Sequence, residues 1–195
     1  RNLTNVVRNL TELRNVPWAA APRWITQPQN FSDAVTSGLE FELRGRASDL
    51  MPQLMGNAKA LNLRSSLSFY RSSIAALHGP NNRLDGQQPW SANLGFDQRI
   101  SGLPLSVGGN LSITPGYDTL QTTEQYFKRS STKGIDLFAM MPLSPTMSLR
   151  AAASAGVQQF GPPNGSTQTL MSNGDYILTD RYAKPQLNIT LDMRL

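Results

Sequence analysis

The 195-residue chain contains no cysteine, which excludes disulfide staples, thiolate zinc sites and cysteine nucleophiles. Its one histidine, His78, would have to serve any Ser-His-Asp arrangement or histidine metal site, and its setting, IAALHGPNN, reads as a solvent-exposed loop. No stretch approaches the roughly 18 uninterrupted apolar residues of a transmembrane helix. The opening segment from Arg1 is polar and strand-like and is not expected to be a secretory leader, as would hold for a mature or truncated exported protein and for a cytoplasmic one alike. Charge is scarce: Asp, Glu, Lys and Arg make up 16% of the chain, against roughly 25% in typical soluble domains. Hydrophobic residues, at 39%, do not make good the deficit. Ser, Thr, Asn and Gln fill it, the mixture required where half of each strand meets water and half meets hydrocarbon. The net charge of +5 is scattered, with Lys128-Arg129 the only adjacent basic pair, so no nucleic-acid partner is expected.

What is present is alternation with a period of two, which sends successive side chains to opposite faces of a strand. Leu39, Phe41 and Leu43 alternate with Glu40, Glu42 and Arg44. Leu61, Leu63, Leu67 and Phe69 alternate with Asn62, Arg64, Ser66 and Ser68. The pattern recurs in Ala92, Leu94 and Phe96, in Leu103 through Ile113, in Met147 through Val157, and in Leu187, Ile189, Leu191, Met193 and Leu195. Weaker versions occupy Ile135 to Leu143 and Arg1 to Leu13, where Leu3, Asn5, Val7 and Asn9 are expected to share a face. The sum is eight strands of roughly nine to thirteen residues, the length a tilted membrane-crossing strand needs.

Connections alternate as well. Ile100-Ser101-Gly102 and Ser144-Pro145-Thr146 read as tight turns, and Arg46 to Ala60 as a modest connection with a helical turn near Ser48 to Gly56. Arg14 to Asp33, Ser72 to Pro89, Pro115 to Lys133 and Gln158 to Lys184 read as long loops. Short turns at one end and long loops at the other are the habit of a transmembrane barrel. A soluble β-sandwich rarely needs such loops. The fold class expected is therefore all-β, an antiparallel transmembrane β-barrel.

Candidate site residues are few. Glu40 and Glu42 are spaced like paired carboxylates, but Arg44 and the neighbouring Arg64 make a charge ladder on the polar face the better reading. Gly108-Gly109 lacks the Lys-Ser/Thr that follows a phosphate loop and reads as relief of crowding within a strand. Trp24, Trp90, Tyr70 and Tyr117 fall near the strand ends that adjoin the long loops, as an interfacial aromatic girdle would. Arg83, Trp90 and Tyr117 are the candidate ligand contacts, and Asn81, Asn82 and Asp85 the loop polar groups beside them. No catalytic residue, metal site or cofactor is expected.

The segments GPNNRLDGQQPWSANLGFDQR (Gly79 to Arg99), LPLSVGGNLSITPGY (Leu103 to Tyr117) and PRWITQPQNFSDAVTSGLEFELRG (Pro22 to Gly45) together resemble the C-terminal barrel of TonB-dependent outer-membrane receptors. The resemblance implies that residues 1–195 supply about eight strands of a plugged barrel of about twenty-two, with the plug domain and signal peptide outside this sequence. It also implies a bacterial outer-membrane receptor without enzymatic activity, taking up a scarce nutrient such as a ferric siderophore. Its partners would be outer-membrane lipid and lipopolysaccharide, a small-molecule ligand such as an iron chelate, and an inner-membrane energy-coupling complex reached through the plug. The alternative is a complete eight-stranded barrel with a structural or adhesive role.

Overall fold

A computed structural model describes residues 1–55, 60–122, 125–156, 165–171, 173–181 and 184–193. The chain is all-β, with antiparallel pairing throughout. Eight strands form the main sheet: β1 (Asn2–Arg14), β2 (Arg23–Arg46), β3 (Leu61–Ile74), β4 (Trp90–Arg99), β5 (Ser106–Thr114), β8 (Thr132–Ser144), β9 (Met147–Gly156) and β12 (Gln186–Met193), hydrogen-bonded in that order. These are the eight expected strands. Four more, β6 (Tyr117–Leu120), β7 (Gln125–Arg129), β10 (Gly165–Met171) and β11 (Tyr176–Arg181), form a second sheet in the order β11-β10-β7-β6. Two short helices, α1 (Ala47–Leu50) and α2 (Pro52–Met55), lie in the connection from β2 to β3, where a helical turn was expected.

Cross-strand register carries the alternation across the main sheet from β2 to β12. On one face Leu63, Phe96, Gly109, Leu137, Ala153 and Leu187 stand in a single row. On the other, Arg44, Arg64, Gly95, Asn110, Asp136, Ser154 and Gln186 do the same. A one-residue slip in any pair would mix the rows, so the pattern specifies the register. The glycine pair fits both faces at once. A Cβ on Gly108 would stand 2.5 Å from the Phe138 ring and 2.7 Å from the Phe96 carbonyl oxygen, and one on Gly109 would stand 2.7 Å from Leu137 Cδ2. Their missing side chains admit those neighbours, as the crowding argument expected.

Among the described residues no second layer covers the apolar face. Leu39, Phe41, Leu43, Leu94, Leu137, Leu187, Ile189 and Leu191 are all exposed, Ile189 at 69%. Buried apolar residues collect instead at one end of the polar face, where Ala34, Ile74 and Leu77 pack with Leu3, Val6, Leu84 and Leu120.

Several expectations are corrected. Among the described residues neither sheet closes on itself: β1 pairs only with β2, and β12 only with β9. Arg14 to Asp33 is not a long loop, because β2 starts at Arg23 and its first eleven residues pair with β1 alone. Backbone pairing needs no apolar alternation, and a partnerless outer side tolerates Pro28. Pro115 to Lys133 and Gln158 to Lys184 each hold strands, not only loop, and these build the second sheet. Leu103 and Leu105 precede β5 and lie in the turn from β4; Pro104 between them has no N–H to give a ladder. In β1, register shifts between Leu3 and Val7, with Asn5 at φ 54°, break the expected Leu3–Val7 face: Leu3 packs in the small core while Val7 is exposed. Such bulges bend a strand and reset its facing. The assignments of Gly56, Val157, Arg194 and Leu195 lie outside the described residues.

Candidate functional site

Apart from the two short helices between β2 and β3, the described parts beyond the main sheet gather mostly at the long-connection end: the protruding β1–β2 hairpin, residues 75–89 and the second sheet. Arg8 joins them. The bulge at Asn5 turns its side chain to the buried side of β1, where only 3% of it is accessible. A buried guanidinium must place its five N–H donors, and acceptors come from the 75–89 connection and from the β6–β7 hairpin. Nε donates to Asp85 Oδ2 at 2.8 Å, and Nη2 is close to Asp85 Oδ1. Nη1 donates to the carbonyls of Gln121, at 2.7 Å, and Leu120, at 3.3 Å, while Nη2 also reaches the Arg83 carbonyl at 3.4 Å. The β6–β7 hairpin, rooted in β5 and β8, is thus tied back to β1 at the sheet edge.

A second set of bonds continues the tie. Leu120 N donates to Asn81 O at 2.7 Å, and Asn81 Nδ2 donates to the Tyr126 hydroxyl at 3.1 Å. That hydroxyl donates to Asp118 Oδ2 at 2.8 Å. Burial pushes the Tyr126 phenol up from its ordinary value, and the hydrogen bond and negative charge of Asp118 add to the rise, against a smaller lowering by Asn81. Gln125, itself buried, sends Nε2 to Met171 Sδ at 3.2 Å. Asn82 Nδ2 donates to the carbonyls of Leu77, at 2.9 Å, and Ile74, at 3.3 Å. Asn81, Asn82 and Asp85 are therefore spent on bonds inside this end of the molecule.

The three candidate ligand contacts do not converge. Trp90 stands at the start of β4 opposite Phe69, on the apolar face. Tyr117 is buried in the second sheet, its ring tilted 50° to that of Phe127 with centroids 6.4 Å apart. Arg83 lies in the 75–89 connection, half-buried. What Arg83 and Tyr117 share is incomplete bonding: Arg83 Nε and the Tyr117 hydroxyl, with Thr119 Oγ1, are buried without a hydrogen-bond partner among the described residues. The proposed aromatic girdle is corrected in two members. Tyr70 shares the polar face with its partner Gly38, where its ring packs 3.2 Å from a would-be Cβ, and Tyr117 is interior. Trp24, at the far end of β2, stays exposed opposite Leu13.

The ladder on the polar face is partly as expected. Arg44 Nε donates to Glu42 Oε1 at 2.7 Å along β2, but Arg64 faces Arg44 and not a carboxylate. His78 is exposed, as its loop setting implied. Among the described residues no group of three or more His, Asp or Glu side chains is placed to hold a metal, and no helix is long and apolar enough to cross a membrane. Arg8, Gln125 and Thr119 were not singled out from the sequence. The one available signal was the broken alternation around Val6-Val7, which marks the bulge that turns Arg8 inward.

No protein-family model matches the chain, and no curated protein or solved structure matches it either.

Proposed function

We propose that this chain is part of the wall of a bacterial outer-membrane β-barrel, with the apolar face of the main sheet against lipid and the polar face against a water-filled or plugged interior. The observation that carries the reading is the face of mostly exposed apolar side chains that the register aligns from β3 to β12, backed by a polar row that holds charged and amide side chains. A water-exposed domain would have to cover such a face with a second layer. Hydrocarbon covers it without one. In lipid, unpaired backbone groups along β1 and β12 would cost several kcal/mol each, so further strands belong against both edges, as in a barrel of about twenty-two strands. A self-contained eight-stranded barrel would need β1 against β12, a pairing absent among the described residues.

With the resemblance of Pro22–Gly45 and Gly79–Tyr117 to TonB-dependent receptors, the activity proposed is energy-coupled uptake of a scarce nutrient such as a ferric siderophore, without catalysis. The network around Arg8 then fixes the outer end of the wall, where ligand arrives.

Nitroxides placed singly at Leu94, Leu137 and Ile189, and at Asn93, Asp136 and Asn188, test the wall in lipid vesicles. The first set should respond to dissolved oxygen and the second to a water-soluble nickel chelate. Equal responses would end the barrel reading. Uptake of a ferric chelate by native cells with and without the protein, before and after collapse of the proton gradient, tests the transport reading separately.

A further inference from the structure

The geometry points to a binding site for a small oxyanion, a carboxylate or a phosphate group, in a crevice of about 160 Å³ on the polar face, held by Arg64 with Arg44, Ser66, Asn93 and Asn110 around it. Register places Arg44 directly opposite Arg64. Like charges directly opposed on an antiparallel pair, with side-chain bases about 4.5–5.5 Å apart, destabilise it. One carboxylate is at hand: Glu42, which also lines the crevice, pairs with Arg44. Arg64 has no carboxylate partner among the described residues. Two guanidinium groups against one carboxylate leave one positive charge uncompensated there.

Gly95 sets where that charge points. A Cβ at this position would stand 2.5 Å from Arg64 Nε and 2.8 Å from Cγ, so the arginine stem lies across the bare glycine backbone. Gly95 is buried for that reason, although Asn93 and Leu94 beside it are exposed. The next residue in the row is Asn110, whose carboxamide makes no side-chain hydrogen bond among the described residues. A planar guanidinium fork beside a free carboxamide N–H₂ is a donor set for a carboxylate or phosphate oxygen pair. Glu42 at the rim disfavours a second or larger anion. The site follows from the register and from Gly95 alone, and it stands whether or not the apolar face meets lipid.

Arginine Nε–Hε resonances of the ¹⁵N-labelled full chain, folded in detergent micelles, are followed while sodium phosphate, or in a second arm sodium acetate, replaces chloride at constant ionic strength. A saturable shift of the Arg64 resonance is expected in at least one arm, and the tighter arm identifies the oxyanion class. Arg64→Gln should weaken binding roughly tenfold or more, the scale of one charge-assisted hydrogen bond. Gly95→Ala keeps both arginines but puts a methyl where the Arg64 stem lies, displacing it, and a comparable loss is expected. Circular dichroism on the same samples reports the sheet. If Arg64→Gln lowers the strand content, Arg64→Lys, which keeps the charge without the fork, should still bind several-fold more weakly than wild type. Linear, unsaturated shifts in both arms of the wild type would overturn the site. So would affinities unchanged by Gly95→Ala and by the Arg64 variants.

Discussion

Leu191 in β12 and Thr119 in β6 sit in sheets of the same chain and face opposite worlds. Leu191, a large apolar side chain, is half exposed, while Thr119, a small polar one, is fully buried. The contrast holds along both sheets. Away from the small core at its β1 end, the main sheet keeps most of its large apolar residues outward. The second sheet and the 75–89 connection bury Arg8, Gln125 and Thr119 and leave Tyr176, Ile177 and Leu178 exposed. This end is fixed by a small apolar core together with the hydrogen-bonded buried side chains of Arg8 and Gln125, and a buried polar network is strict in its geometry. The main sheet is specified differently, by register, because each side chain's surroundings depend on which face it takes.

The sharpest way to break the comparison is to place a charge on the outward face. Leu191→Arg should cost about 2–4 kcal/mol of folding free energy in lipid vesicles if the site lies near the bilayer midplane. Asn110→Arg, on the polar face, should cost far less. Denaturant titrations of the two variants in the same vesicles give the difference. Equal costs would mean that the two faces do not meet different solvents.

How much of this was legible in the sequence follows the same division. The main strands were readable where apolar and polar residues alternate, as in Leu39 to Arg44 or Leu187 to Met193, and least so in β1, whose alternation the bulge breaks. The second sheet was not, because segments such as QYFKR and GSTQTLM are short and polar on both faces, and their strand state depends on pairing with each other. The first half of β2, RWITQPQN, failed for a related reason: its partner β1 supplies the pairing while its side chains carry no period. At the candidate site, Arg83, Trp90 and Tyr117 were individually well placed near the loop end but do not meet. The buried hub, Arg8, was invisible because its acceptors lie 75 to 113 residues away in the chain. Local pattern cannot report a partner set by tertiary folding.

A second prediction concerns that hub. Arg8→Met keeps the bulk of the stem and removes the donors, leaving the carbonyls of Leu120 and Gln121 without their guanidinium partner. The loss should be about 1–3 kcal/mol, less than for a fully enclosed ion pair because Asp85 is 40% exposed and can turn to water. Amide hydrogen exchange should localise it: Leu120 and Tyr126 should exchange faster while Leu94 and Phe96 in β4 stay protected. Uniform acceleration would show that the two regions unfold as one, and the comparison would fail. A smaller effect, about 1 kcal/mol, is expected from Gly108→Ala, whose new methyl meets the Phe138 ring and the Phe96 carbonyl. The ring can swing toward the open polar face, but the carbonyl cannot, and the variant's unfolding midpoint measures what remains.

The smallest effect is one of pH, and it falls on the second sheet alone. The Tyr126 phenol is raised above its ordinary value of 10.0 by burial and then by Asp118, which accepts its proton and repels the tyrosinate. A raised pKa in the folded state means that the folded chain holds this proton over a range where the unfolded chain has released it. Stability from this group is therefore complete below about pH 10 and is lost as pH rises from there through the raised value. Tyr126→Phe cannot release a proton, so the difference in urea midpoint between it and wild type should be flat from pH 7 to 9.5. Above about pH 10 it should move against the wild type. The other tyrosines titrate in both proteins and cancel in the difference. A difference that stays flat to pH 11.5 would mean that the Tyr126–Asp118 bond does not hold in solution, and with it would go the claim that this end is fixed by polar contacts.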